Sequence, residues 1–272
     1  MRIMELPKFA NARGFEHLPL VVVFHNASPC VVNSHLDCLF KRTANMTTPS
    51  TPNSSKDNQE RIQSIGDQHM GTSVDTPLRS DAFDLSNEKK IAAIEAKFRD
   101  IMDILGLDLN DDSLSGTPHR VAKMYVKELF YGLDPKNKPK ISLFDNKYGY
   151  GKMLVEKNIS LDSLCEHHFL PINGYAHVAY IPKDKVIGLS KINRVVDYYA
   201  HRPQVQERLS LQILNELKET LQTEDVMVMI SAKHLCVSQR GIKDKESSTT
   251  TLEYSGRFNE KSYRDEFFKC IS

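Results

Sequence analysis

Two short runs of thiol and imidazole side chains constrain this chain most, because one fold must bring both together if they bind one ion. The first run, CEHH, begins at Cys165, and the second, HLC, ends at Cys236. Zinc favours thiolate and imidazole ligands, and Cys-x-x-His is a workable chelating spacing. Residues two apart in a strand point to the same side, so a strand over 226–237 would place His234 and Cys236 on one face. The sequence therefore predicts a metal site built from two distant segments.

The spacing leaves the ligand set open. Three protein ligands would leave a position for water, whereas four would close the site and make it structural. A cysteine in a strand is more often a buried small hydrophobe, and a histidine pair is often solvated. The co-occurrence of both runs favours a metal over these alternatives. The candidate ligands are Cys165, His167, His168, His234 and Cys236.

Residues 1–85 differ in composition from the rest of the chain and are interpreted as an N-terminal extension. Within them, Thr43–Ser80 is rich in Ser, Thr, Asn, Asp, Gln and Pro, and buries too little apolar surface to offset the entropy of ordering. We therefore predict disorder there. A mis-assigned start, with Met46 or Met70 as the true first residue, is the alternative.

Residues 86–272 are predicted to form one α+β domain, with N-terminal helices over 86–135 and a core over 140–272. Apolar spacing of three and four residues predicts helices, and runs of aromatic and branched residues predict strands. Helices and strands do not alternate regularly, which favours α+β over a βαβ fold. The predicted elements are a helix over 91–105, a helix capped by Thr117 and ended by Gly132, strands over 175–181 and 186–189 joined by a hairpin turn at 182–185, helices from Ser190 and Pro203, and a strand over 226–237.

Basic side chains cluster near predicted helix starts. Lys191 and Arg194 follow Ser190, and a helix N-terminus with a hydroxyl and nearby cations is a ready anion site. Arg120 and Lys123 share one face of the second helix. Arg240, shortly after the second metal run, adds a further cation. The alternative is a set of ordinary solvated faces.

Glu207 opens the helix predicted to start at Pro203 and is a candidate for binding a purine. A buried carboxylate can accept two hydrogen bonds from N1–H and the amino group of guanine, a donor pair that adenine does not present. Such a site can discriminate by about 10⁴-fold. The alternative is an exposed glutamate paired with a basic neighbour.

Composition excludes several classes of partner. The net charge is +1, which argues against nucleic acid or an acidic membrane as a partner. No apolar run approaches the roughly 20 residues that span a bilayer. The run Leu18–Phe24 is too short and broken for an export signal. Five scattered cysteines suit a reducing compartment, so we expect a cytoplasmic protein.

Taken in order, the motifs resemble those of zinc-dependent GTP cyclohydrolase I. The resemblance covers about 88–272 and is specific, because dispersed motifs keep their order and spacing. Two departures are the N-terminal extension and the segment Leu252–Arg257, which is bulkier than expected. The motifs are TPHRVAK from Thr117, CEHH from Cys165, GLSK from Gly188, QVQERL from Gln204, HLC from His234 and QRG from Gln239.

The resemblance implies a role for each matching residue. It implies Zn²⁺ held by Cys165, His168 and Cys236, and acid/base roles for His167 and His234, with Ser190 close to the sugar. Glu207, helped by Gln206, would anchor the guanine. The residues implied for the triphosphate and ribose are Arg120, Lys123, Ser190, Lys191, Arg194 and Arg240.

The resemblance also implies a reaction and an assembly. GTP and water would become 7,8-dihydroneopterin triphosphate and formate, the first step of tetrahydrofolate and pterin biosynthesis. The fold would be a tunnelling fold, an antiparallel sheet with helices on one side. Sheets would close into a barrel across subunits, giving a decamer of two pentamers with active sites between subunits.

Two rival functions stay open at this point. Another tunnel-fold enzyme of pterin or deazapurine chemistry would not need both Cys165 and Cys236 as ligands. A non-catalytic, zinc-stabilised nucleotide binder would have a closed four-ligand site. Metal content separates the first rival from the favoured function, and turnover separates the second.

Overall fold

A five-stranded sheet carries the candidate site at the ends of two of its strands. The computed structural model describes residues 73–272. The export-signal candidate Leu18–Phe24, the alternative starts and most of Thr43–Ser80 lie outside the described residues. Of the predicted disordered segment, the described part includes Asp75, whose Oδ1 accepts a 2.9 Å hydrogen bond from Gln212 Nε2.

The described residues contain seven α-helices and seven strands. The helices are α1 Asn87–Ile104, α2 Asp112–Ser115, α3 Thr117–Met124, α4 Leu189–Ala200, α5 Gln206–Leu221, α6 Leu235–Ser238 and α7 Lys261–Ile271. The strands are β1 Leu143–Asp145, β2 Leu154–Cys165, β3 Pro171–Tyr180, β4 Lys185–Ile187, β5 Pro203–Gln204, β6 Val226–His234 and β7 Thr249–Tyr254.

The main sheet has the order β5-β2-β3-β6-β7 and is antiparallel except for the β5–β2 pair. This confirms the predicted α+β class. The predicted hairpin between β3 and β4 is wrong, because β4 pairs with β1 in a separate two-stranded sheet, with Ile187 opposite Leu143. The two edges of β3 pair with β2 and β6, both of which are longer than the three-residue strand β4.

Helices α4 and α5 cover one face of the sheet and form the main core with it. Alternate strand residues such as Val178 and Val228 point to this face, as period-two geometry requires. The apolar stripe predicted for α5 is confirmed, and Leu209, Ile213 and Leu217 are fully buried. Burying one such side chain stabilises the fold by about 1.5–3 kcal/mol.

The opposite face of the sheet carries α7, a helix that the sequence analysis did not predict. Phe267 of this helix is fully buried in a second apolar cluster with Phe258, Ala179 and Met227. Helices therefore cover both faces of the sheet in this chain, α4 and α5 on one and α7 on the other.

Two predicted helix starts are shifted. The helix predicted from Pro203 begins at Gln206, because Pro203–Gln204 instead pairs in parallel with the end of β2. In α3, the N-cap is Gly116 and not Thr117, which occupies the first helical position. After Met124 the α-helical hydrogen bonding gives way to a π-helical turn.

Gly132 joins the N-terminal helices to α4. Its N–H donates a 3.1 Å hydrogen bond to the carbonyl of His201. A Cβ at this position would lie 2.0 Å from the carbonyl oxygen of Tyr198. The close backbone contact therefore requires glycine here.

Candidate active site

Three of the five candidate ligands converge at one end of the sheet. One ligand atom each from Cys165, His168 and Cys236 lies within 4.8 Å of the others. Cys165 ends β2, and the turn after it is closed by a 2.8 Å hydrogen bond from Phe169 N–H to the Cys165 carbonyl. Phe169 has a φ of +53°, and this tight turn brings His168 back over Cys165.

Cys236 reaches the cluster by a different route from the one predicted. The strand predicted over 226–237 ends at His234, and Cys236 lies in the helical turn α6. The prediction that His234 and Cys236 share one face of a strand is therefore wrong. Leaving the strand at His234 lets the two side chains diverge, so that Cys236 joins the ligand cluster while His234 contacts α5.

The donor set suits zinc. Two thiols and one imidazole are ligands that Zn²⁺ prefers, and three of them leave a coordination position open. Burial raises the pKa of the Cys236 thiol, and the neighbouring Cys165 raises it further, while Arg240 nearby lowers it. A thiol whose ionisation is disfavoured in this way becomes a favourable ligand once a divalent cation lies beside it.

His167 lies beside the ligand cluster without being one of its three members. Its ring is exposed, and Nδ1 lies 3.7 Å from the Sγ of Cys165. Its other nitrogen, Nε2, lies 3.9 Å from a carboxylate oxygen of Glu166. The structure therefore identifies His168, and not His167, as a candidate ligand, a choice that the spacing alone could not make.

A buried ion pair fixes the turn that carries these histidines. Arg208 is 4% exposed and its guanidinium pairs with the carboxylate of Glu166. The same side chain donates to Gln204 Oε1 at 3.0 Å and to the Pro203 carbonyl at 3.0 Å. Sequence reasoning missed this role, because Glu166 and Arg208 are 42 residues apart in the chain.

His234 is held by Gln206, the first residue of α5. The Nε2 of His234 lies 2.8 Å from Gln206 Oε1. Partial burial lowers the pKa of His234, and the nearby Glu207 carboxylate opposes this shift. Gln206 was expected to help bind a purine, yet its side chain is 1% exposed and bonded within the protein.

The cation cluster near Ser190 lies at the N-terminus of α4. The helix begins at Leu189 with Gly188 as N-cap, so the predicted capping role of Ser190 is wrong. No side chain caps this terminus, and although the N–H of Lys191 donates to the Gly188 carbonyl at 2.7 Å, the N–H groups of Leu189 and Ser190 are left for an anion. Ser190 and Arg194 are exposed and Lys191 is half-buried.

Arg194 does not pair with Asp197, the acidic residue three positions later in α4. Asp197 instead contacts His201 at 3.3 Å and accepts a hydrogen bond from the hydroxyl of Tyr131. Glu207 likewise is exposed in the first turn of α5, and no salt bridge within the described residues includes it. Both side chains are thus available to a ligand.

Arg120 and Lys123 belong to a different part of the described structure. They are on α3, which packs mainly against α1. Arg120 donates to the Ser113 carbonyl at 3.2 Å and to Thr117 Oγ1 at 3.0 Å. No hydrogen bond or salt bridge among residues 73–272 connects Arg120 or Lys123 to the metal-ligand cluster.

An apolar cavity of about 370 Å³ reaches the metal-ligand turn. It is lined by residues that include Phe83, Phe130 and Phe169, and none of the candidate site residues lines it.

Among the described residues, no helix has the length and apolar character required to cross a membrane.

Comparison with known proteins places these residues in a family. Residues 94–272 match the family model described as GTP cyclohydrolase I. A relative named GTP cyclohydrolase 1, from Flavobacterium johnsoniae, is 57% identical over 214 residues, covering 79% of this chain and 96% of that protein. A relative of the same name from Salmonella arizonae is 50% identical over 208 residues, covering 76% of this chain and 94% of that protein.

One solved structure, described as the archaeosine synthase QueF-like protein in the apo form, overlaps part of the chain. It is 19% identical, with a TM-score of 0.33, and the overlap covers 38% of this chain and 93% of that one. A likeness this weak carries no argument about the fold.

Proposed function

The chain belongs to the GTP cyclohydrolase I family, and on that premise we propose that it converts GTP and water into 7,8-dihydroneopterin triphosphate and formate. The observation that carries the proposal is the convergence of Cys165, His168 and Cys236 within 4.8 Å, with His167 and His234 close by but outside the set. This arrangement provides an open metal position and separate proton-transfer groups.

Cys165, His168 and Cys236 would hold Zn²⁺. When bound there, the ion would supply Lewis-acid activation of water at neutral pH. The two thiolates come from the end of β2 and from α6, so the ligand set depends on the sheet that joins these elements.

His234 would transfer the proton that opens the imidazole ring of guanine. Water adds at C8, and protonation of N7 favours breaking the ring. A second hydrolysis releases C8 as formate. General acid help of this kind is typically worth about 10²–10⁴-fold in rate. The partly buried position of His234 excludes much of the water that would compete for its proton.

His167 and Ser190 would serve the later, sugar-centred steps. The ribose must undergo an Amadori-type rearrangement before the pterin ring closes, and this requires proton transfer at carbon and oxygen. His167 is exposed beside the ligand cluster, and Ser190 lies at the uncapped N-terminus of α4. We assign His167 to proton transfer and place Ser190 against the sugar.

Glu207 would select guanine. Its carboxylate lies in the first turn of α5, close enough to His234 to shift that residue's pKa, and it makes no salt bridge within the described residues. It can accept the N1–H and amino protons of guanine together. The triphosphate would lie against Lys191, Arg194 and Arg240.

The assembly is proposed as a decamer of two pentamers with active sites between subunits. One chain leaves β5 and the six-residue strand β7 as sheet edges. Pairing these edges between subunits into a barrel would remove them. Arg120 and Lys123, which no contact ties to the ligand cluster of their own chain, would then reach the triphosphate of a neighbouring subunit.

The proposed function is accompanied by a proposed domain organisation and a proposed cellular location. The enzyme domain is proposed to be residues 86–272, with N-terminal helices over 86–135 and the core over 140–272. We propose a cytoplasmic location, because reduced thiols are needed as ligands and Cys165 and Cys236 are free. The product would enter tetrahydrofolate and pterin biosynthesis.

A substrate comparison tests the proposal. Purified protein is incubated with GTP or with ATP, and formate and pterin absorbance are followed. We expect both products from GTP and a rate with ATP lower by about 10⁴-fold, because adenine does not offer Glu207 two donors. Absence of formate from GTP, with zinc bound and the protein folded, would contradict the proposed activity.

A further inference from the structure

A series of side-chain hydrogen bonds connects the segment before α1 with the turn that carries the metal-ligand candidates. Its members, in order, are Asp75, Gln212, Gln204, Arg208 and Glu166. Asp75 precedes every helix and strand of the described residues, whereas Glu166 directly follows Cys165. The series therefore joins parts of the chain that are distant in sequence.

Each hydrogen bond of the series has a fixed direction. A carboxylate oxygen accepts, so Gln212 must turn its Nε2 to Asp75 Oδ1 at 2.9 Å and its Oε1 to Gln204 Nε2 at 2.9 Å. Gln204 Nε2 also donates to the Tyr199 carbonyl at 2.8 Å, which leaves its Oε1 to accept from Arg208 Nε at 3.0 Å. Reversing either amide would bring acceptor against acceptor and donor against donor.

The middle of the series is buried. Gln204, Gln212 and Arg208 are all shielded from solvent by the packing of β5 and α5. A buried polar group that loses its partner is not compensated by water, so each of these side chains depends on its neighbour in the series. A change at Asp75 is therefore expected to affect the groups beyond it.

The far end of the series lies against the metal-ligand turn. The Arg208 guanidinium pairs with the Glu166 carboxylate and donates to the Pro203 carbonyl at 3.0 Å. The Gln204 carbonyl accepts a 3.0 Å hydrogen bond from the Glu166 N–H, and Gln204 is opposite Cys165 in the β5–β2 pair. Gln204 thus contacts the turn through its backbone and the series through its side chain.

We propose that Asp75 is a positioning residue for the metal-ligand turn, and that it acts through the buried series that ends at Glu166. The inference rests on the zinc site of the proposed function. It gives a role in the active site to a residue that precedes the domain start proposed at residue 86. Groups that support metal ligands from outside the coordination sphere typically change metal affinity by about 10–100-fold when they are removed.

Point variants of the full chain separate this role from a local surface contact. Asp75→Ala removes the acceptor at the start of the series. Asp75→Asn keeps nearly the same shape and an oxygen that can accept from Gln212. Asp81→Ala is the matched control, because Asp81 is an exposed acid of the same segment that pairs with Arg79.

The first readout is amide hydrogen exchange of the protein as purified. In Asp75→Ala we expect the Glu166 and Phe169 amides, which donate within and beside the turn, to exchange about 3–10-fold faster, with the amides of β6 unchanged. Asp75→Asn and Asp81→Ala should exchange like the unsubstituted protein. This readout requires no turnover of GTP, so it separates failure of this inference from failure of the proposed activity.

The second readout is zinc affinity, measured by competition with a chelator. We expect zinc to bind about tenfold more weakly to Asp75→Ala and nearly as tightly to Asp75→Asn as to the unsubstituted protein. Gln212→Met should also weaken binding, and adding Asp75→Ala to it should cause no further loss, because Asp75 acts through Gln212.

Three results would overturn the inference. One is unchanged exchange at the turn in Asp75→Ala, and another is faster exchange that extends equally to β6, which would give Asp75 a general structural role. The third is a loss of zinc affinity in the double variant equal to the sum of the two single losses. If Gln212→Met does not fold, the variants of the exposed residue Asp75 still decide the matter.

Discussion

At the scale of single residues, His234 and Cys236 have separable roles near the metal position. Cys236 lies within the converging ligand set, whereas His234 turns away from it to contact Gln206. The two side chains are only two positions apart, so a general disturbance of the segment would affect both equally.

Paired substitutions of these residues have opposite expected effects on zinc. His234→Ala should keep zinc and lower kcat by about 10²–10⁴-fold, because a proton-transfer group is lost and the ligands are not. Cys236→Ser should lose both zinc and turnover. Metal analysis and GTP assays on the same samples check this, with Cys270→Ser, an exposed free cysteine, as control. Zinc loss in His234→Ala would show that His234 is a ligand.

Much of the candidate site could be predicted from the sequence, because residue type and spacing restrict metal chemistry. The CEHH and HLC runs identified five candidate ligands, the family resemblance implied three of them, and packing brings the same three together. The internal role of Gln206 could not be predicted, since its partners Ile230 and Thr249 are distant in the chain. The ion pair of Arg208 with Glu166 was hidden for the same reason.

At the scale of secondary-structure elements, local patterns predicted the helices better than the strands. The stripes of α1, α4 and α5 are visible because each covers several turns. The long strand β2 was not predicted, since half its residues are polar and its ladder is interrupted by a bulge at Asn158, where φ is +59°. The pairing of β4 with β1 could not be predicted from local patterns. It depends on which other strands already pair with the two edges of β3.

The contact between Gly132 and α4 gives a prediction at this scale. Gly132→Ala should lower the free energy of unfolding by about 1–3 kcal/mol, because the new Cβ would overlap the Tyr198 carbonyl and force the N-terminal helices away from α4. Thermal unfolding measures the change. Gly151→Ala is the control, since the nearest atom to its Cβ would be 3.9 Å away. Equal stability of both variants would contradict this contact.

At the scale of the whole molecule, the proposed assembly places Arg120 of one subunit at the active site of its neighbour, and mixed assemblies test this. Arg120→Ala and His234→Ala subunits should each be inactive when assembled alone. When they are co-expressed and assemble at random, about one quarter of sites would combine an intact Arg120 from one chain with an intact His234 from its neighbour.

Activity of the mixed assembly decides where Arg120 acts. We expect about one quarter of the unsubstituted rate, measured as formate released from GTP per subunit. An inactive mixture, with mass spectrometry showing that both variants are present in one assembly, would mean that Arg120 serves the site of its own chain. The sequence could not predict this, because an interface between copies leaves no local pattern in either copy.

GTP turnover by protein stripped of metal with a chelator and then reconstituted decides whether the reaction depends on zinc. Formate and pterin production should stop on removal of zinc and return when about one zinc per subunit is restored, since Cys165, His168 and Cys236 form one site per chain. Turnover that continues at full rate in protein shown to contain no metal would contradict a zinc-dependent reaction at this site.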